Sequence, residues 1–268
     1  MRIVFLCITV AFFLASGCAL KHEIQNFKEP LTPRYAELSL HNNELNSGKR
    51  IKIVSYNIKL CRNVDNAIEL LRKNSGLKDA DLLFLQEVCI KGVRKIAEEL
   101  KYNYTYYPSY IHPAVNEDSG TAVLSKYPID ADIKVILPDY TKDKYYYKLQ
   151  QTSAGIYFDI KGKKAAAFSV HLGVMISPEL RKKQLDAILK AVPKGTKYII
   201  LAGDFNTYAQ KHKEAIANHL KEYGFSCATE KVSWTYNYLY LLNKKQTLDY
   251  IFVKGPGYFL CGAAKSVF

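Results

Sequence analysis

Acidic residues are scarce in this chain of 268: 25 Asp and Glu stand against 38 Lys and Arg, a formal charge of +13. That balance excludes a surface that repels polyanions. It favours nucleic acid, anionic lipid headgroups or phosphorylated small molecules as partners. Cysteine is sparse too, at six residues, and no C-x-x-C or Cys/His spacing suggests a zinc site. Long apolar runs, internal repeats and low-complexity segments are missing, which excludes a multi-span membrane protein, a solenoid and a collagenous chain. What is present, 49% hydrophobic and 13% aromatic residues, is the balance of a folded globular protein.

The first residues read as an address. Arg2 precedes an apolar run from Ile3 to Leu14, followed by Ala15-Ser16-Gly17-Cys18. A positive start, a short apolar core and small residues before a cleavage point mark an export signal. About 12 residues are too few for the ~20 that span a bilayer. The small residues ending at Cys18 resemble the lipobox of bacterial lipoproteins, which implies Cys18 as the lipidated residue and residues 1–18 as the signal. An uncleaved anchor and an ordinary secretory peptide stay open as alternatives. Ala19 is not an aspartate-type retention signal, so the expected location is the cell envelope, with a mild preference for the outer membrane. Residues 19–50, with Pro30 and Pro33 and little periodicity, are expected to be a tether. The folded domain is expected over 51–268. Cys61, Cys89, Cys227 and Cys261 permit disulfides in an exported protein, and buried thiols equally; the sequence does not pair them.

From Ile51 onward, strand-like runs alternate with amphipathic ones. Ile51–Tyr56 is β-branched and ends at Asn57; the continuous apolar run Asp81–Leu85 stops at Gln86-Glu87. Ala165–Val170 leads to His171, and Tyr198–Ala202 leads through Gly203 to Asp204 and Asn206. Asp249 opens another strand, Ile251–Val253. Helical spacing marks Asp65–Leu71, Lys91–Leu100 and Glu179–Val192. Four apolar strands thus run into a polar group at their C-terminal ends. In layered α/β architectures sites gather at such ends, where a rigid sheet meets free loops. Glu87 and Asp204, with amide oxygens nearby, form a hard-oxygen set suited to Mg²⁺ or Mn²⁺.

Six segments occur in one order: Tyr56-Asn57, Leu85-Gln86-Glu87-Val88, Ser119 to Ile129, Ser169-Val170-His171-Leu172, Gly203-Asp204-Phe205-Asn206-Thr207 and Leu248 to Phe252. Together they resemble the endonuclease/exonuclease/phosphatase (DNase I-like) superfamily, from about residue 51 to the C-terminus. The resemblance implies an α/β fold, a four-layer sandwich of two sheets flanked by helices. It implies hydrolysis of a phosphate ester by metal-activated water, with DNA among the candidate substrates; the N-terminal signal adds action outside the cytoplasm and membrane attachment through the N-terminal lipid, and a monomer is expected. Glu87 would bind the divalent ion beside Asn57, Asp204 would orient or deprotonate the attacking water, Asn206 would hold a phosphate oxygen, and His171 would donate to the phosphoryl oxygens. Asp249 matches an aspartate that pairs with a histidine in a later Ser-Asp-His motif. No histidine follows His219, so that partner, and the final strand carrying it, are expected to be missing. Gln150-Gln151 also stand where relatives often carry arginine.

Three readings follow: a phosphodiesterase or endonuclease, a sphingomyelinase- or phosphatase-type enzyme on lipid or inositol phosphates, and a catalytically impaired member serving as a surface binding lipoprotein. Two further features bear on substrate. Tyr102, Tyr104 and Tyr106 alternate, followed by Tyr107 and Tyr110, with a second cluster at Tyr140 and Tyr145–Tyr147; these could stack on bases or fill a half-buried strand. Residues 141–190 carry ten Lys and Arg against four Asp and Glu, a local +6, including Arg181-Lys182-Lys183. That run is a solvated helix face or a phosphate-steering rim.

Overall fold

The computed structural model describes residues 24–41, 50–138, 149–160, 162–239 and 244–256. Cys18, Cys261, the tyrosine cluster at 140 and 145–147, and the segment beyond 256 lie outside them. The strands are β1 (Tyr35–Glu37), β2 (Ile53–Asn57), β3 (Leu82–Val88), β4 (Asn103–His112), β5 (Glu117–Ser125), β6 (Ala131–Ile136), β7 (Thr152–Ile160), β8 (Lys163–His171), β9 (Tyr198–Asp204), β10 (Ser226–Cys227), β11 (Tyr236–Leu239), β12 (Lys244–Gln246) and β13 (Asp249–Lys254). The helices are α1 (Val64–Lys73), α2 (Ile90–Leu100), α3 (Pro178–Lys190) and α4 (Gln210–Glu222).

Two mixed sheets result, ordered β1-β4-β5-β3-β2 and β10-β13-β9-β8-β7-β6, with β11-β12 as a separate hairpin. Alternation along each strand divides its side chains between two apolar layers. On β3, Leu83 and Leu85 face the cluster that contains Ile68, Leu71, Val93 and Ile96 of α1 and α2. Leu82 and Phe84 face the layer between the sheets, where they meet Ala165, Ala167, Ile200 and Ala202. The outer residues of β8 and β9, Phe168 and Leu201 among them, pack on Leu185, Ile188, Ile216 and Leu220 of α3 and α4. Helix, sheet, sheet, helix is the four-layer sandwich expected. Small alanines on β8 let the sheets approach, while the continuous burial of β3 reflects cover on both faces.

One expectation needs correction. Residues 24–41 do not behave as a tether. β1 pairs antiparallel with β4, Tyr35 opposite Tyr106, and Arg34 forks onto Asp132 at 2.8–3.1 Å. The buried Lys134 ammonium donates to the carbonyls of Phe27, Glu29 and Thr32 at 2.8–2.9 Å. The segment covers what would otherwise be the bare edge of β4. Of the two readings left open for the first tyrosine run, the strand is the one found. Tyr102, Tyr104, Tyr106, Tyr107 and Tyr110 are all buried, because helices cover one face of β4 and the second sheet covers the other.

Candidate active site

The two parallel strand pairs bring the polar strand ends together. β2 runs beside β3 with Asn57 opposite Gln86, and β8 runs beside β9 with His171 opposite Asp204. β13 enters antiparallel, so its first residue, Asp249, also sits opposite Asp204. Gly203 permits this approach: at φ +155° a side chain there would run into the Val170 backbone.

Glu87 is aimed by a bulge. Pairing of β3 with β5 shifts register between Gln86 and Val88, and Glu87 takes the left-handed conformation at φ 50°. The extra residue turns its carboxylate out of the ladder. Asn57 then joins the sheets across the sandwich: its Nδ2 donates to Glu87 Oε1 at 3.0 Å and to Asp204 Oδ2 at 3.2 Å, while its Oδ1 accepts the Lys59 N–H at 2.9 Å. Asp204 Oδ1 accepts the Asn206 N–H at 2.8 Å. Asn206, left-handed at φ 52°, donates its amide to the Leu172 carbonyl at 2.8 Å, tying the loops after β8 and β9. His171 is buried, its Nε2 3.9 Å from Glu87 Oε1, too far for a hydrogen bond. The six predicted residues therefore form one constellation, with Asn57 at its centre.

Its electrostatics are those of crowded anions. Burial drives the Asp204 carboxyl upward and Glu87 adds to that, against the lowering effect of His171, the Asn206 N–H and Asn57. Asp249 is pushed up to about 8 by burial first and then by Asp204 and Glu87, with a hydrogen bond to Thr235 opposing. Among the described residues no Lys or Arg pairs with these carboxylates; the His171 imidazole lies 3.9 Å from Glu87. Nor do three His, Cys, Asp or Glu side chains there converge as a ready-made metal cage. A set with one aimed carboxylate, an amide oxygen and excess negative charge fits Mg²⁺ or Mn²⁺. Such ions keep several waters and take one or two carboxylates plus substrate oxygens.

Sequence reasoning passed over several neighbours. Gln86, wholly buried, donates to Ser169 Oγ at 3.0 Å, and Ser169 Oγ donates to the Leu85 carbonyl at 2.9 Å, a polar link between the sheets beneath the site. Tyr110 is raised to about 12 by burial and then by Glu87, while hydrogen bonding with Ser119 and Gln151 opposes. Tyr208 is partly exposed and raised to about 12 by burial and by Asp204. Arg181 is 1% exposed and donates to the Ile176 carbonyl at 2.5 Å, with His212 Nδ1 at 3.0 Å. It belongs to the packing between α3 and α4, and so is no part of the solvated run read from Arg181-Lys182-Lys183. The available signal was its spacing: Arg181 stands four residues before Leu185 and seven before Ile188, on the apolar side of the helix.

The profile described as the Endonuclease/Exonuclease/phosphatase family matches residues 54–265. No curated protein matches the chain by sequence. Among solved structures, an endonuclease/exonuclease/phosphatase family protein from Leptotrichia buccalis superposes with TM-score 0.60 at 20% identity, covering 76% of this chain and 87% of that one. A β-hairpin deletion mutant of beta toxin from Staphylococcus aureus gives 0.56 at 19%, covering 81% and 94%. Sphingomyelinase C from Streptomyces griseocarneus gives 0.53 at 18%, covering 76% and 83%. At these identities the neighbours speak for the fold. With the profile spanning most of the sequence, the chain belongs to the endonuclease/exonuclease/phosphatase family, whose members generally hydrolyse phosphoester bonds.

Proposed function

We propose that this protein is a divalent-cation-dependent phosphodiesterase that acts outside the cytoplasm as a monomer. The observation that carries the reading is the Glu87–Asn57–Asp204 bridge, with Asp249 and His171 beside it, at the mouth of both sheets. Bound Mg²⁺ or Mn²⁺ would supply Lewis-acid neutralisation of the phosphate oxygens. Glu87 would hold the cation, with Asn57 beside it. Asp204, oriented by Asn57 and the Asn206 N–H, accepts a proton from the attacking water; its raised proton affinity suits a general base. The His171 imidazole donates to the phosphoryl oxygens as charge builds, and the second Asn206 amide hydrogen steadies one of them. Asp249, opposite Asp204, adds to the carboxylate crowding that a cation would relieve.

The disulfide between Cys61 and Cys89 supports an oxidising compartment, in keeping with an exported chain anchored through Cys18. A sphingomyelinase- or phosphatase-type activity is the second reading, favoured by the likeness to sphingomyelinase C and beta toxin. A panel of plasmid DNA, sphingomyelin vesicles and a phosphomonoester, with Mg²⁺ or Mn²⁺ and with Asp204→Ala in parallel, decides between them. Cleavage of DNA supports the phosphodiesterase reading. Cleavage of sphingomyelin or of the monoester alone supports the second. No turnover with any substrate would refute both and leave a binding protein on this fold.

A further inference from the structure

Both residues assigned to the cation stand at strand ends, and the turns that follow them are joined by the one disulfide among the described residues. Asn57 closes β2, and the chain then runs through Lys59, Leu60 and Cys61, all left-handed at φ 48°, 60° and 59°. Three consecutive L-residues there are a costly conformation that persists only where the surroundings impose it. Glu87, left-handed as well, lies two residues before Cys89, which opens α2. The Cys61–Cys89 bond brings the two Cα atoms to 5.9 Å across a sequence separation of 28. Backbone bonds run alongside it: Ile58 N–H to the Gln86 carbonyl at 3.0 Å, and Cys61 N–H to the Glu87 carbonyl at 3.1 Å. The Cys89 N–H points to Cys61 Sγ at 3.0 Å. On α2, Gly92 faces the same sulfur so closely that a Cβ would not fit. Disulfide, strained turn and helix start form one unit against the Asn57–Glu87 pair.

We propose that the Cys61–Cys89 disulfide is a positioning clamp for the cation site, holding the Asn57 amide against the Glu87 carboxylate. The clamp makes the affinity for the cation depend on the redox state of the two sulfurs. The inference rests on the cation-site reading above. Reduction breaks the S–S bond, takes two electrons from an added phosphine or dithiol together with two protons, and leaves two thiols. The left-handed turn at 59–61 then has no covalent tie to hold it, and Asn57 Oδ1 and Glu87 lose their fixed separation.

The test measures Mn²⁺ affinity by electron paramagnetic resonance on the full chain. It compares oxidised wild type, reduced wild type, Cys61→Ser/Cys89→Ser, Cys227→Ser and Glu87→Gln, with amide hydrogen exchange followed at Ile58 and residue 61. The expected result is Mn²⁺ binding weaker by about 10-fold or more in the reduced protein and the double variant, the scale of losing a group that orients a metal ligand. Cys227→Ser should bind as wild type does, and exchange should accelerate at Ile58 and residue 61 while the remaining β-sheet amides stay protected. Equal affinity in the oxidised and reduced states would overturn the clamp. If the double variant fails to fold, reduced wild type decides, and unchanged exchange at Ile58 would overturn it as well. A wild type that binds no Mn²⁺, or a Glu87→Gln change without effect, would instead refute the cation site itself. Exchange at Ile58 would still judge whether the bond holds the two loops together.

Discussion

At the scale of single residues, the site is built from groups forced out of regular structure. Glu87 leaves its ladder through a bulge, Asn206 takes a left-handed turn, and Gly203 admits Asp204 where no side chain could fit. Asn57 matters most among them, because its amide separates two carboxylates that would otherwise face each other. Asn57→Ala should therefore lower kcat/KM for a chromogenic phosphodiester by about 10²-fold or more, with little change in the urea unfolding midpoint. These positions were legible in the sequence because each interrupts an apolar run with a group that costs energy to bury unpaired. Arg181 was overlooked. Its spacing of four and seven residues to Leu185 and Ile188 puts it on the buried side of α3, but its charge groups it with Lys182 and Lys183. The tyrosines of β4 show the converse limit: alternation marks a strand but says nothing about how many of its faces are covered.

At the scale of elements, the junction of β3 with α2 is secured from outside. Cys89 at the helix N-cap makes no side-chain capping bond. Instead Asp118 of β5 accepts the Ile90 N–H at 2.9 Å and the buried Tyr106 hydroxyl at 2.5 Å. Asp118→Ala should lose both a helix-start acceptor and a partner for a buried hydroxyl, costing about 2–3 kcal/mol in urea unfolding. An unchanged midpoint would show that the junction does not depend on it. The elements read from pattern, α1, α2, α3, β2, β3, β8, β9 and β13, are placed to within two or three residues, while α4, β5, β6 and β7 are given no bounds. β1 could not be read. It is three residues long and gains its pairing from a strand about 70 residues away, a distance over which local sequence carries no signal.

At the scale of the whole molecule, residues 24–41 are joined to the sandwich by β1 pairing, by Lys134 and by one carboxylate. Asp132 accepts Arg34, Thr105 Oγ1 at 2.5 Å and the Tyr107 hydroxyl at 2.9 Å. Burial alone would raise its pKa, but hydrogen bonds from Arg34, Thr105 and Tyr107 outweigh it and leave it below the usual value of 3.8. A carboxylate lowered on folding stabilises the fold above its unfolded pKa, and that contribution fades as pH falls through the folded one. The stability difference between wild type and Asp132→Asn, about 2 kcal/mol near neutrality, should thus hold down to about pH 4 and shrink below it. Urea unfolding at stepwise lower pH measures this. A difference independent of pH would place the stabilisation elsewhere.

The basic surface and the acidic site are complementary parts of one chemistry. On the proposed function, a net charge of +13 would draw phosphate esters in, while the Glu87–Asn57–Asp204 bridge would hold the cation that neutralises them. The most direct measurement is the initial rate on bis(p-nitrophenyl) phosphate for wild type and Asp204→Asn, each with Mg²⁺ or Mn²⁺ and with excess chelator. The expected result is turnover by wild type that requires the cation and falls by about 10²–10⁴-fold in Asp204→Asn. Turnover that persists in chelator, or survives the Asp204 substitution, would contradict the assignment.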